Sequence, residues 1–194
     1  MRALFSLHDT TYAVEFASDL HQLGWEIVCT NETHFLLSES QIPSTSIELF
    51  TETLKNYGVP PTLHPKVESA LVDSDQNSGI DLVFDIPYPM SSGYDVGGTT
   101  LLALAVKGKK IPIFTNDDMK QVIKELKTSG KVDDDLRSSL GAKANLFVAQ
   151  YYISMLQKSE KGGEGWVGTP LMKLLAGENP YQVPCHLYGF AESE

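Results

Sequence analysis

Short apolar runs alternate with stretches of helical periodicity through the first part of the chain. Residues 3–7 and 82–86 are mostly apolar runs of the length and kind that form strands buried on both faces. Between the runs, apolar residues recur every three or four positions, as they do along one face of a helix. This alternation predicts an α/β fold of three layers, a parallel sheet flanked by helices on both faces.

The same periodicities give approximate bounds for the individual elements. Strands are predicted at residues 3–7, 26–29, 82–86 and 111–114. Helices are predicted at residues 13–23, in a short stretch capped by residues 30–33, at 98–107, and over the apolar stripes of 119–126 and 136–155. Ligands of such sheets bind at the carboxyl ends of the strands, so the loops that follow the strands are the predicted functional region.

The character of the chain changes after Lys158. Residues 159–165 have the Gly-rich, charged composition of a flexible linker, and the tail beyond them contains Trp166, Leu171 and Met172. We therefore predict one domain over residues 1–158, followed by a linker and C-terminal tail over residues 159–194. Because the tail is too apolar to stay solvated, it is expected to pack on the domain or on a second subunit.

Charge and composition exclude several classes of function. The net charge is −10 and the basic residues are scattered along the chain, which disfavours nucleic acid as a partner. No apolar run approaches the length of a membrane span, and two distant cysteines favour a cytoplasmic protein. The five histidines show no metal-ligand spacing, so neither a metal nor another cofactor is expected.

Three loop segments contain residues suited to chemistry or binding. Residues 62–66 read Thr-Leu-His-Pro-Lys, residues 87–89 read Pro-Tyr-Pro, and residues 94–100 contain Gly97 and Gly98 before an apolar helix. Paired glycines allow close backbone approach to a ligand, and a helix N-terminus favours an anion. Taken singly, each segment is also explained by an ordinary turn, a packing tyrosine or a capped helix.

Together with the opening residues 2–11, these segments resemble the cyclohydrolase domain of the bifunctional AICAR transformylase/IMP cyclohydrolase family, in order and in approximate spacing. The Thr-Leu-His-Pro-Lys-Val, Tyr-Pro and Asp-Val-Gly-Gly elements match that family, and residues 142–144 fall where it has a similar helix. Residues 177–182, Gly-Glu-Asn-Pro-Tyr-Gln, resemble the start of its transformylase domain. The resemblance implies a methylglyoxal-synthase-like fold followed by a stub of the second domain.

The resemblance also implies a function and a set of site residues. The family closes the ring of a formylated, phosphorylated purine precursor to IMP with loss of water, in de novo purine biosynthesis. The implied catalytic residues are Tyr88, Asp95, Lys107 and Thr62, with Asp95 and Lys107 as a pair that moves a proton and offsets charge. The implied substrate-binding residues are Ser6, Thr10, Thr30, Thr33, Lys66, Gly97 and Gly98. Because the family is dimeric, a homodimer is expected.

The chain departs from the family at several positions. Val59 and Pro61 stand where the family has an arginine and a catalytic lysine, and Thr10 replaces a lysine of the phosphate loop. Asn31 and Glu32 replace a Gly-Gly pair, so a carboxylate comes close to where a phosphate would bind. Lys66 could substitute for a lost lysine.

Three functional hypotheses follow. The first is a diverged IMP cyclohydrolase, and the second is a non-catalytic nucleotide- or phosphate-binding regulatory module of the same fold. The third, a methylglyoxal synthase, is disfavoured because residues 63–66 replace its Gly-Gly-Asp-Gln loop.

Overall fold

A five-stranded parallel sheet forms the centre of the first of two units. The computed structural model describes residues 1–53, 61–72, 79–159, 161–179, 181 and 183–190. The strands are β1 (Arg2–Leu7), β2 (Glu26–Cys29), β3 (Thr45–Ser46), β4 (Leu82–Ile86) and β5 (Ile111–Ile113). Their order is β3-β2-β1-β4-β5, and Ser6 of β1 lies opposite Asp85 of β4. The carboxyl ends of all five strands therefore meet at one edge of the sheet.

Helices cover both faces of this sheet. The helices are α1 (Ala13–Gln22), α2 (Asn31–Glu39), α3 (Ile47–Thr51), α4 (Pro65–Val72), α5 (Val96–Lys107), α6 (Asn116–Ser129) and α7 (Asp134–Lys158), of which α7 continues into the second unit. On one face, Ala3 and Phe5 of β1 pack in a core cluster with residues of α1, α2 and α6. Leu4 points to the opposite face, where α4 and α5 contact each other and α5 contacts β4 and β5. The three-layer α/β fold predicted from the sequence is confirmed.

The observed elements differ from the predicted ones at α4, at the start of α5, and at β3 and α3. The segment read as a proline turn begins α4, because Pro65 takes the first helical position, where its missing N–H costs no hydrogen bond. Helix α5 starts at Val96 rather than at Gly98, and the short elements β3 and α3 were not predicted. None of the helices in the described part of the chain combines the length and apolar character that a membrane span requires.

The second unit comprises residues 146–194 and contains an antiparallel hairpin of β6 (Gly168–Lys173) and β7 (His186–Phe190). The sequence predicted an apolar tail here but no strands. The unit boundary at residues 145 and 146 lies inside α7, and Lys158, the predicted domain end, is the last residue of that helix. The division into domains at residue 158 stays a prediction.

The hairpin unit exposes large apolar side chains, and this supports the expectation of a homodimer. Trp166 is 72% exposed, and Leu171 and Met172 are both more than half exposed. Several large apolar side chains exposed on one hairpin unit are expected of an interaction surface. We expect sedimentation velocity at micromolar concentration to show a dimer, and the double variant Trp166→Ser/Leu171→Ser to shift it toward monomer. A wild-type protein that sediments as a monomer would contradict this.

Candidate functional site

The carboxyl edge of the sheet brings together most of the residues singled out by the sequence. Ser6 is the penultimate residue of β1, Thr30 follows β2 and is the N-cap of α2, and Tyr88 follows β4. Asp95 is the N-cap of α5. A parallel sheet presents these positions at a single edge, where ligands of α/β proteins bind.

The β1 and β2 side of this edge is rich in hydroxyl groups. The Oγ1 atoms of Thr30 and Thr33 lie 3.4 Å apart, and Thr33 is fully buried. The Thr30 N–H donates to the Phe5 carbonyl at 3.1 Å, which fixes the start of α2 against β1. Thr10 lies half-buried in the loop between β1 and α1. These hydroxyls suit a phosphate group, whereas the exposed Glu32 in the first turn of α2 opposes one.

Asp95 organises the β4 and α5 side of the edge. Its Oδ1 accepts the Gly98 N–H at 2.7 Å, and its Oδ2 accepts the Tyr88 N–H at 3.3 Å. The carboxylate, which is buried, therefore caps α5 and holds the backbone of Tyr88. The Tyr88 ring remains 39% exposed and lies 6.0 Å from the His8 ring. The N–H of Gly98, predicted to be a backbone donor to the ligand, is bonded to Asp95 in this structure, and its role in binding stays a prediction.

Asp85 belongs to this site and was not singled out by the sequence. It is 1% exposed, and neither carboxyl oxygen has a hydrogen-bond partner in the described part of the chain. Burial raises the pKa of Asp85 to about 8; the Ser6 hydroxyl partly offsets the rise and the charge of Asp95 adds to it. Since no Ser6 bond meets hydrogen-bond geometry, desolvation dominates. The carboxyl group is thus neutral at pH 7.

Asp85 also explains why residue 98 is a glycine. A Cβ atom added to Gly98 would lie 2.3 Å from Asp85 Oδ2, closer than any real contact. The first turn of α5 therefore rests directly on the Asp85 carboxyl group. The pair of glycines seen in the sequence reflects this packing as well as any approach to a ligand.

Lys107 does not lie in this site, which corrects the predicted acid–base pair. Asp95 precedes the first residue of α5 and Lys107 is its last, so the helix separates them by about 18 Å along its axis. That distance exceeds the reach of the two side chains. Lys107 instead lines a cavity with Met1, Asp81 and Ile111, at the amino ends of the strands.

Thr62 and Lys66 flank the start of α4. Thr62 is buried, and the Lys66 ammonium forms an ion pair with Glu52 at 2.9 Å. The hydrogen bond and charge of Lys66 lower the pKa of Glu52, which is fully exposed. Val59, at which the family's arginine is lost, lies outside the described residues. Lys66 would have to leave Glu52 before it could take the place of a lost cation.

A second lysine near this edge was not counted among the candidates. Thr115, which follows β5, caps α6, and its hydroxyl donates to Asp118 at 2.9 Å. Lys143 of α7 forms an ion pair with the buried Asp118 at 2.6 Å. The sequence shows Lys143 only as part of a matched helix, so its position beside the end of β5 emerges from the fold.

The fold and the edge define an α/β domain with polar residues gathered at the carboxyl ends of a parallel sheet. The family model for the MGS-like domain matches residues 12–115, and the chain belongs to this family.

Individual relatives agree with this assignment. The chain is 31% identical to the bifunctional purine biosynthesis protein PurH of Lactococcus lactis subsp. cremoris strain MG1363, over 93% of this chain and 42% of that protein. It is 31% identical to PurH of Neisseria gonorrhoeae strain FA 1090, over 93% of this chain and 43% of that protein. The chain thus spans less than half the length of these curated relatives. The crystal structure of ForH aligns with a TM-score of 0.63 and 25% identity, over 80% of this chain and 96% of that one.

Proposed function

We propose that the chain acts in purine biosynthesis and closes the ring of a formylated, phosphorylated purine precursor to IMP. The relatives named as bifunctional purine biosynthesis proteins match over nearly the whole of this chain. The observation that supports the proposal most is the junction at Asp95, which ties Tyr88 to the first turn of α5 at the carboxyl edge. Both residues are among those implied by the family resemblance.

Ring closure requires one new bond and the loss of one water molecule. A carboxamide nitrogen of the precursor attacks its formyl carbon, and the formyl oxygen leaves as water. The two protons of that water come from the carboxamide nitrogen and the formamido nitrogen. The site must therefore bind the phosphate, accept a proton from nitrogen and donate one to an oxygen that carries developing negative charge.

The chain supplies groups for each of these tasks. The hydroxyl of Tyr88, a residue that is 39% exposed, is assigned as the donor to the developing oxyanion, and Asp95 as the carboxylate that accepts a proton. Ser6, Thr30 and Thr33, at the ends of β1 and β2, are the residues that we assign to the phosphate. Lys66 and Lys143 are the two lysines considered for charge compensation, in place of Lys107.

The test is cyclisation of the formylated precursor by the purified chain, followed by ultraviolet absorbance. Asp95→Asn keeps an acceptor for the Gly98 N–H but removes the charge, and we expect turnover to fall about a hundredfold. Tyr88→Phe keeps the backbone N–H bonded to Asp95 and should cost less, because one hydrogen bond is lost and no charge. Asp133→Asn is the matched control, since Asp133 caps α7 through the Leu136 N–H at 2.6 Å.

The outcomes separate the competing functions. A wild-type chain that binds IMP but forms none would support the nucleotide-binding module instead of the cyclohydrolase. A chain that neither cyclises the precursor nor binds a purine nucleotide at about 1 mM would contradict both. Equal losses in Asp95→Asn and Asp133→Asn would show that Asp95 acts only as a helix cap.

A further inference from the structure

A cavity of about 610 Å³ opens at the amino edge of the sheet, opposite the candidate site. Met1, Asp81 and Ile111 line it from the starts of β1, β4 and β5, and Trp25 contributes an aromatic wall. The volume falls within the range of small-molecule sites. None of the residues to which the proposed function assigns a task in ring closure lines this cavity.

Positive charge converges on the cavity. Among the described residues, five basic side chains line it against a single carboxylate, that of Asp81. They are Lys107, Lys109, Lys110, Lys131 and Arg137. This group is one third of the 15 lysines and arginines in a chain whose net charge is −10.

Little of this charge is neutralised within the described part of the chain. Asp81 already accepts the Arg2 N–H at 2.8 Å, and Arg137 pairs with the exposed Asp134 at 3.3 Å. The four lysines form no ion pair with a described residue. Like charges gathered in one cavity repel one another, and an anion bound among them would relieve that repulsion.

The backbone holds Lys109 at the cavity in a strained conformation. The Lys110 N–H bonds to Ala105 O at 2.9 Å and the Lys109 N–H to Val106 O at 3.1 Å, a Schellman end to α5. In this motif the residue with positive φ is usually glycine, yet here it is Lys109, with φ of 57°. A lysine there costs on the order of 1 kcal/mol, and such strain is concentrated at functional sites.

The helix terminus does not account for the whole group. The partial negative charge at the C-terminus of α5 favours Lys107 and its neighbours. Lys131 and Arg137, however, come from the α6–α7 connection and the first turns of α7. Three separate chain segments thus direct cations at one cavity, which a solvated helix end does not require.

We propose that the amino edge of the sheet is a second binding site, for a small anion with more than one negative charge, such as a diphosphate or a phosphate ester. The five cations bind the anionic groups, and Trp25 forms the wall against any apolar part of the ligand. This site is separate from the ring-closure site and does not depend on the proposed function.

Inorganic pyrophosphate is the probe that tests the charge requirement alone. In a Trp166→Phe background, Trp25 is the single tryptophan of the chain, so its fluorescence reports on the cavity. We expect saturable binding below about 1 mM. Lys110→Glu and Lys131→Glu should each lower the affinity about tenfold or more. Lys124→Glu, the matched control on exposed α6 surface, should leave the affinity within about twofold.

Three results would overturn the proposal. The first is equal weakening by Lys124→Glu, which would mean that only net charge matters. The second is a loss of pyrophosphate binding in Thr30→Asp, which adds a carboxylate at the carboxyl edge, together with unchanged binding in Lys110→Glu. Pyrophosphate would then bind at the carboxyl edge. The third concerns Asp73 and Asp75, which follow Val72 in sequence and lie outside the described residues. If pyrophosphate binds Asp73→Asn/Asp75→Asn but not the wild type, the chain's own carboxylates occupy the cavity.

Discussion

Replacing Asp85 with asparagine is expected to stabilise the protein at about pH 9 by roughly 3 kcal/mol and to change it little at about pH 5. The reason is burial without a partner: both carboxyl oxygens lack a hydrogen bond among the described residues, and the pKa is raised to about 8. In the unfolded chain the pKa is near 3.8. Between about pH 4 and pH 8 the folded protein therefore keeps a proton that the unfolded chain has lost, and above about pH 8 it must bury the charge.

The sign of the pH dependence follows from this difference. Below about pH 4 the carboxyl is protonated in both states, so Asp85 imposes no ionisation penalty there. As the pH rises from about 4 to 8, unfolding releases a proton, and stability falls by up to about 1.4 kcal/mol per pH unit. Above about pH 8 the loss is complete. The amide that replaces the carboxyl group in Asp85→Asn cannot ionise, so the pH-dependent loss of stability disappears. Burying that amide without a partner still lowers the stability, but by a smaller amount.

Thermal unfolding across this pH range measures the effect. At about pH 9 the Asp85→Asn variant should melt about 6–12 °C higher than the wild type. Asp81→Asn is the control, because it removes one negative charge directly before the same strand. Any rise in its melting temperature measures the effect of the lower net charge alone. Parallel curves of melting temperature against pH for the wild type and Asp85→Asn would contradict an ionisable, unpartnered Asp85.

Replacing Gly108 with alanine is expected to destabilise the protein by about 3 kcal/mol or more. A Cβ atom at this position would lie 1.8 Å from the Leu71 carbonyl oxygen and 2.8 Å from its carbonyl carbon. Gly108 has a φ of −81°, which alanine adopts easily, so the cost is purely steric. Because the obstacle is backbone, α4 and α5 must move apart.

Gly141 provides the matched control. It lies inside α7, and no atom of a described residue outside the helix backbone lies within 4 Å of an added Cβ atom, so Gly141→Ala should stabilise the chain by up to about 1 kcal/mol. Chemical denaturation gives both free energies of unfolding. If Gly108→Ala is as stable as the wild type, the close contact between the end of α5 and α4 does not exist in solution.

Much of the fold follows from local sequence patterns. The apolar runs at residues 3–7 and 82–86 form β1 and β4, which pair with each other in the sheet. Continuous apolar runs are typical of strands buried on both faces of a parallel sheet. The hairpin in the tail was missed, since β6 is largely exposed and lacks the alternation that marks a half-buried strand. Helix α4 was missed because prolines before and at its start resemble a turn.

The site was harder to predict than the fold. The pairing of Asp95 with Lys107 rested on matched residue types, and twelve residues of helix place the two at opposite edges of the sheet. Asp85 sits in a run that reads as an ordinary buried strand, so its lack of a hydrogen-bond partner is visible only in three dimensions. Tyr88 and Asp95 were implied by the family resemblance, and both lie at the carboxyl edge, one after β4 and the other at the start of α5.

The amino and carboxyl edges of the sheet hold different cations. A lysine that the family resemblance assigned to catalysis instead lines an anion cavity with four other basic residues. The carboxyl edge retains Lys143, held by Asp118, while Lys66 is held by Glu52. Charge compensation in ring closure would therefore require one of these lysines to exchange its carboxylate partner for the substrate.

The position at which IMP binds decides whether the carboxyl edge is a purine-nucleotide site. Amide chemical shifts of the isotopically labelled chain, recorded during titration with IMP, distinguish the two edges of the sheet. We expect shift changes at Thr30, Thr33 and Gly97 that persist in the Lys110→Glu variant. Saturating IMP that leaves these three amides unchanged would contradict a purine-nucleotide site at the carboxyl edge.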